Sequence, residues 1–533
     1  MKTRLFAFLL MLALFVNLFA ACSNDGVQDA TTADPEKSTG TVSDASEESV
    51  YSIGFGKVDV TPTESVPLGG YMGKDSAEFR WSTTTEWPFS AICVAITDDQ
   101  DNTVILITLD FLNSAMGNAL RDAISEIHGI PYENIMVHAT HNHSGPATSY
   151  SHGVITNYIT QVTNGVLVAV NTALDDRKPI TGMQTTFARP EGVNSERHYL
   201  LADGSYQSYG VGSVPKDQLI GHYGVADNLL QVARFTRDGG KNIVFVNWQG
   251  HPPGTNPNTI ATSNYPGVLR NYLDTNLNCE SIFFLGGSGN LNNSSQIAGE
   301  IIHDDYQGLG ENLGAAAVAA AANFKDRSLS AIQVNEKMLQ LKNLNYGANK
   351  IWVYAITIGD FALVTAPFEI FDDNAVAVRE NVPYVMTMYI TCCNGSNGYL
   401  PTPPSFGWKI TYEATTTKFP EGTAEILQDE LIGMLKENAA ASGYEGPEKD
   451  ADYYQAEFVP KSDGVTYLNM APGDTTKYSA VENDFFAFQL FGNNKLKNFL
   501  CKDEALVQEI LSKNEVMLIL DVQNVVVGIE EAK

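Results

Sequence analysis

Between residues 51 and 441, short apolar runs of strand length alternate with longer segments whose apolar positions recur at helical spacing. Thr103 to Leu109 (TVILITL) predicts a buried strand, Asn118 to His128 a helix ended by Gly129, and Asn134 to Ala139 (NIMVHA) the next strand. Strand, helix and strand in that order make a βαβ unit, so the chain is expected to be α/β, a mixed β-sheet core with flanking helices. Further strands are predicted at Asn242 to Trp248, Ser281 to Leu285, Phe361 to Thr365 and Tyr384 to Ile390. Helices are predicted at Glu311 to Lys325, Asp372 to Glu380 and Thr423 to Ala441. The pattern changes after residue 442. Pro447 to Asp452 is a charged, turn-like break, beyond which a helical piece (Asp503 to Ser512) and a β-type run (Val516 to Val527) follow. Residues 443–533 are expected to form a small C-terminal appendage, or else a closing edge of the main sheet.

Each predicted strand from Asn134 onward runs into a segment that looks chemical. These segments are His141-Asn142-His143, His251, the loop from Gly286 to Asn292, Glu369 and Tyr399. Ligands of α/β sheets gather outside the carboxyl ends of strands, so the five loops are expected to converge on one crevice. Taken singly, each residue has an ordinary structural explanation. One His of an HxH pair can be satisfied by backbone, His251 can be a turn residue between Gly250 and Pro252, and Glu369 can favour a helix dipole. Their number and placement make the case for a site.

The first 22 residues are an address. Lys2 and Arg4 precede an apolar run from Leu5 to Leu18, and Phe19-Ala20-Ala21-Cys22 closes it, which is the order of a secretory signal. The small residues before Cys22 resemble the lipobox of bacterial lipoproteins, so Cys22 is expected to carry the lipid. Residues 23–50, rich in Ser, Thr, Asp and Glu and without an aromatic, are expected to be a disordered tether. The protein is then exported and anchored to the outer face of a bacterial cell membrane or to the outer membrane. With 44% hydrophobic and 18% charged residues, the whole chain has a soluble domain's composition. Its 33 Lys+Arg against 62 Asp+Glu, a net charge of −29, argue against nucleic acid or an anionic membrane surface as a partner. Cys93, Cys279, Cys392, Cys393 and Cys501 remain after Cys22, an odd number in an exported chain, and buried thiols are expected.

Several motifs in order resemble the neutral, non-lysosomal ceramidase family. Gly54-Phe55-Gly56-Lys57-Val58-Asp59-Val60-Thr61-Pro62 is similar to the family's opening, and Pro67-Leu68-Gly69-Gly70-Tyr71 follows it. The heptad Thr140 to Pro146 (THNHSGP) is the most specific match. Asn247-Trp248-Gln249-Gly250-His251-Pro252, Asn264-Tyr265-Pro266-Gly267 and Pro367-Phe368-Glu369 continue the series. Gly398-Tyr399-Leu400-Pro401-Thr402 with Tyr412-Glu413 completes it, so the resemblance covers most of residues 51–442.

The resemblance implies a zinc-dependent amidase that cleaves the N-acyl amide of ceramide or a similar N-acyl lipid with a metal-activated water. It implies zinc ligands at His141, His251, Glu369 and Tyr399, with His143 beside the metal on the substrate amide and Tyr412 stabilising the oxyanion. Asp59 would support the site. Four such ligands leave a position for water, as catalytic zinc requires. The chain departs from the family in the Gly-rich loop, where Asn292 stands in place of a serine and Ser294 lies two residues on. An asparagine amide donates hydrogen bonds but is no nucleophile, so a serine-based role is lost while zinc chemistry is not. The segment Asn194-Ser195-Glu196-Arg197-His198-Tyr199 offers an arginine without the family's Ser-Pro pattern. Two alternatives stay open: a zinc hydrolase of a different amide or ester, and a catalytically weak, zinc-containing surface binding lipoprotein.

Overall fold

The computed structural model describes residues 51–70, 80–149, 153–201, most of 206–295, 305–406, 411–449 and most of 466–530. The signal segment, Cys22 and the tether lie outside these residues.

Eight strands build the path of the central sheet. They are β1 (Ser52–Asp59), β2 (Ser90–Thr97), β3 (Thr103–Leu109), β4 (Ile135–Ala139), β5 (Lys178–Ala188), β6 (Leu230–Arg237), β7 (Asn242–Trp248) and β8 (Cys279–Leu285). Pairing runs in the order β8-β7-β6-β5-β1-β2-β3-β4, and a short strand, Lys325–Arg327, adds to β5. β3 and β4 are parallel, as are β7 and β8, and the remaining neighbours are antiparallel.

Followed through these pairings, β4 runs opposite to β8. Their carboxyl ends nevertheless meet: the Leu285 amide donates to His138 Nε2 at 3.2 Å, and Thr108 Oγ1 donates to the Phe283 carbonyl at 2.8 Å. Strand twist resolves the contradiction. About 20–25° between neighbours, accumulated along the sheet, turns its two ends through nearly half a circle. The sheet therefore folds over one shared core.

A second sheet helps to fill that core. Its strands are β9 (Gln333–Asn343), β10 (Gly347–Ile358), β11 (Phe361–Thr365) and β12 (Met386–Ile390), paired in sequence order. Phe245 and Phe284 of the first sheet pack with Tyr354, Phe361 and Met388 of the second. The residues after β12 then close the gap between the sheet's two ends. The Thr391 amide donates to Leu285 O at 2.9 Å, Ala139 N to Cys392 O at 3.2 Å, and Asn394 N to Val137 O at 2.9 Å. Carboxyl ends that were remote in the pairing order are thus locked side by side.

Helices α1 (Gly117–His128) and α2 (Gly153–Asp175) cover the outer face of β1–β4, while α3 (Asn264–Asn276) and α4 (Tyr306–Ala320) cover that of β6–β8. On the second sheet lie α5 (Asp372–Glu380) and α6 (Thr423–Ser442). The helix expected to run to Lys325 begins instead at Tyr306, and Lys325 opens the strand that joins β5.

The opening motif owes its glycines to α2. A Cβ on Gly56 would lie 2.0 Å from the Ala169 carbonyl oxygen, and one on Gly54 1.9 Å from that of Ala173. Helix backbone rests directly on strand backbone here. Gly56→Ala must push the helix away and is expected to cost about 3 kcal/mol of stability, read by urea unfolding. An unchanged midpoint would show that α2 is not held against β1 in this way.

In the C-terminal part, strands Thr466–Met470, Tyr478–Ala480, Phe486–Gly492, Lys495–Cys501, Val516–Leu520 and Val525–Glu530 form a sheet of their own with helix Glu504–Leu511. None of these strands joins the central sheet. The run expected from Val516 to Val527 is two antiparallel strands. Among the described residues no helix is long and apolar enough to cross a membrane. Cys93, Cys279, Cys392, Cys393 and Cys501 are all unpaired and buried.

Candidate metal centre

β4 ends at Ala139, and two residues later His141 adopts a left-handed backbone with φ of 60°. Few side chains other than glycine and asparagine accept that region, and such strain collects at functional sites. The turn sends the His141 ring inward. Its Nδ1 lies 2.8 Å from Leu112 O and donates to it, which leaves Nε2 as an acceptor. His143 follows on the same turn, and the Gly69-Gly70 motif makes room for it. Gly70 has φ of +94°, and a Cβ there would stand 2.6 Å from His143 Nδ1. His251 lies three residues beyond the end of β7.

The three imidazoles meet at their Nε2 atoms. His141 to His251 is 3.1 Å, His143 to His141 is 3.2 Å, and His251 to His143 is 2.9 Å, with all three residues buried. Burial first, and then the neighbouring His141, push His143 and His251 well below the ordinary histidine value. Burial would lower His141 as well, but the Glu369 carboxylate and the Cys392 sulfur hold it well above that value. Three ring nitrogens this close crowd their lone pairs or ring protons against one another, and a metal cation among them, taking the place of the proton on His141, relieves that crowding. Zinc–nitrogen bonds of about 2.0–2.1 Å place ligand nitrogens about 3.3 Å apart around a tetrahedral ion. The donor set therefore fits a metal, and the three histidines are the His/Cys/Asp/Glu group placed to hold one among the described residues.

Glu369 and Tyr399 arrive together through a ladder only two residues long. Glu369–Ile370 and Tyr399–Leu400 pair in parallel, with Glu369 opposite Tyr399. Glu369 Oε2 lies 3.2 Å from His141 Nε2. Burial would raise this carboxyl, but His141, Arg197 and the Tyr399 hydroxyl outweigh it and hold it below the usual range. Burial and Glu369 push the Tyr399 phenol above its ordinary value, against the pull of Arg197. Tyr412 starts the short helix Tyr412–Thr416, 38% exposed, with its ring edge-on to Tyr399 at 6.0 Å. It is the solvent-exposed residue of this group.

A second two-residue ladder positions Arg197. Ser195–Glu196 pairs with Leu291–Asn292, and the Arg197 amide donates to Asn290 O at 2.9 Å. The guanidinium carbon lies 5.2 Å from the Tyr399 ring centre. Arg197 Nε donates to Glu413 Oε1 at 2.7 Å, and its Nη2 meets the same oxygen. His198 Nε2 lies 2.8 Å from Glu413 Oε2, and its Nδ1 pairs closely with Glu196. Glu413 has no exposed surface. Two buried carboxylates and two buried cations thus form one network behind Tyr399.

The structure brings His141, His143, His251, Glu369 and Tyr399 together and sets Tyr412 at the rim. Asn292 lies half-buried in the ladder that carries Arg197. Its neighbour Asn293 makes the link to the histidines, Nδ2 donating to the His251 carbonyl. Ser294 accepts at its carbonyl from Ser195 Oγ at 3.0 Å. Asp59 closes β1 on the same sheet edge, but its Oδ1 accepts from the Thr61 amide at 2.8 Å, and no hydrogen bond or ion pair ties it to the histidines. Glu196 and His198 were not singled out by sequence pattern. The proximity of three ionisable residues in Glu196-Arg197-His198 is the signal that points to them.

The fold, a mixed sheet coiled over its core with flanking helices, is similar to that of solved ceramidase structures. The likeness extends over 83% of this chain and 84% of neutral ceramidase from Pseudomonas aeruginosa, at a TM-score of 0.57 and 15% identity. A ceramidase complexed with C2 matches over the same shares, with a TM-score of 0.58 and 14% identity. No family model and no curated protein matches the sequence. The shared feature is the fold.

Proposed function

We propose that the chain is a zinc-dependent amidase of the neutral ceramidase type, cleaving the N-acyl amide of ceramide or a similar N-acyl lipid. The observation that carries this reading is the approach of His141 and His251 Nε2 to 3.1 Å beside Glu369, with His143 Nε2 facing both from within 3.2 Å. His141, His251, Glu369 and Tyr399 would hold the ion. Zinc in such a site supplies Lewis-acid polarisation of a carbonyl and a water of lowered pKa.

The chain's own residues account for the rest. His143, kept neutral by burial, would lie beside the ion, where its ring can contact the substrate amide. Tyr412, exposed beside Tyr399, would offer its hydroxyl to an amide oxygen that gains charge. Arg197 steadies the Tyr399 ring and favours its ionised form. Asn292 provides no nucleophile, which is the feature that favours the second reading, a zinc-containing binding lipoprotein of weak activity. A lipid on Cys22 would hold an exported enzyme beside membrane substrates.

Fatty-acid release from a labelled short-chain ceramide tests the proposal. The detergent-solubilised chain is expected to release it, to stop on chelation and to resume with zinc. A zinc-loaded protein that releases nothing rejects ceramide cleavage and turns the search to other acyl amides and esters.

A further inference from the structure

The β9–β10 hairpin outreaches its sheet. β11 pairs with β10 only from Tyr354 to Ile358, so Gly347 to Val353 and the facing part of β9 continue as a two-stranded ribbon past the end of β11. The overhang lies on the side where β11 runs out towards Glu369. One face of the ribbon, with Leu339, Leu341, Ile351 and Val353, packs against α6. The other face is open. There Trp352 stands opposite Met338, Lys350 opposite Gln340 and Lys342 opposite Ala348.

At the turn, Leu344 is 59% exposed and Tyr346 80%, and Trp352 on the open face is 46% exposed. No acidic residue occurs from Lys337 to Gly359, although acids outnumber bases in the chain by 62 to 33. The turn is also tied to the metal centre. The Leu344 amide donates to Lys418 O at 2.8 Å, and the adjacent Thr417 Oγ1 donates to Tyr399 O at 2.8 Å. Between Tyr399 and Lys418 lies the short helix that begins at the exposed Tyr412.

We propose that the open face and turn of the β9–β10 hairpin form a contact surface for a phospholipid bilayer. Leu344, Tyr346 and Trp352 would seat at the boundary between headgroups and acyl chains, where aromatic side chains with one wet end are favoured. Lys342 and Lys350 would lay their stems along that boundary and reach headgroup phosphates. The net charge of −29 opposes long-range attraction to an anionic surface, so the contact depends on this local acid-free, apolar patch. The choice of a bilayer rests on the amidase reading in one respect: a substrate with long acyl chains is delivered from a lipid surface. The link from Leu344 through Lys418 and Thr417 to Tyr399 would then couple that contact to the metal centre.

The test labels the full-length chain with an environment-sensitive fluorophore at Tyr346→Cys, the five native thiols of the described residues being buried. Phosphatidylcholine vesicles, some carrying a shallow nitroxide lipid, are the probe. The label at position 346 should shift to the blue and be quenched, whereas a label at exposed Val168 on α2 should not change. Equal responses at both positions, or a shift that appears in concentrated protein without vesicles, would overturn the inference. Leu344→Asp with Tyr346→Asp should lower kcat/KM for a vesicle-embedded N-acyl lipid by about tenfold or more. The same variant should retain its metal content and its activity on a soluble short-chain amide. Vesicle contact without any hydrolysis would remove the amidase reading and leave the surface, and undiminished hydrolysis by the double variant would do the reverse.

Discussion

Alanine at His251 is expected to strip the metal and to lower amide hydrolysis by about three orders of magnitude or more, since the ion supplies both carbonyl polarisation and the activated water. His251 Nε2 is one corner of the imidazole triangle, 3.1 Å from His141 and 2.9 Å from His143. Its ring and its main chain each meet the loop from Ser288 to Asn293. Nδ1 faces Ser288 O, and its own carbonyl accepts from Asn293 Nδ2. The main chain keeps the second contact after truncation, so the variant should fold. Metal content after dialysis, measured alongside a melting curve, separates ligand loss from unfolding. Full metal and full activity in His251→Ala would sink the site assignment. His143→Ala is the informative companion. Retained metal with slow turnover would give His143 a substrate role, and loss of metal would place its Nε2 among the ligands.

The parts of the fold that could be read from sequence are those whose signal is local. Thr103–Leu109, Asn242–Trp248 and Phe361–Thr365 are strands to the residue, because runs buried on both faces are apolar throughout. Helix α2 is the contrary case. Its 23 residues are rich in Val, Ile and Thr, which favour strands, and only the burial of Ile155, Tyr158, Val162, Val166, Ala169 and Ala173 reveals its helical period. The half-turn coil of the sheet was not legible either, since it arises from twist summed over pairings between distant segments.

The site divides in the same way. His141, His251, Glu369 and Tyr399 each follow a predicted strand, and their convergence was foreseeable from the carboxyl-end rule. How they converge was not. Glu369 meets Tyr399, and Ser195 meets Asn292, through ladders of two residues, too short to leave a periodic trace. Arg197 and Glu413 lie 216 positions apart, and neither announces the other.

Glu413→Gln is expected to cost about 3–5 kcal/mol, the usual penalty for leaving a buried cation without its carboxylate. Glutamine keeps the shape and one acceptor, but Arg197 then loses the carboxylate it is paired with, and His198 keeps only Glu196. The pH profile distinguishes this from a packing defect. Burial would raise the Glu413 carboxyl, yet Arg197 and His198 hold it down to about 2. That stabilisation is complete above the ordinary value of 4.5 and fades as the pH falls towards about 2. His198 shows the opposite sense. Burial would lower it, but Glu196 and Glu413 hold it up to about 9, so its contribution is complete below 6.5 and fades as the pH rises through about 9. Urea unfolding across the pH range should therefore show both limbs in the parent chain. In Glu413→Gln the acid limb should shrink and the alkaline limb should move to lower pH, because His198 has lost one of its two carboxylates. Activity should fall with stability, since Arg197 no longer has the partner that keeps it over Tyr399. A variant as stable as its parent, with the alkaline limb unmoved, would mean that Glu196 alone holds up His198 and that Glu413 does not position Arg197.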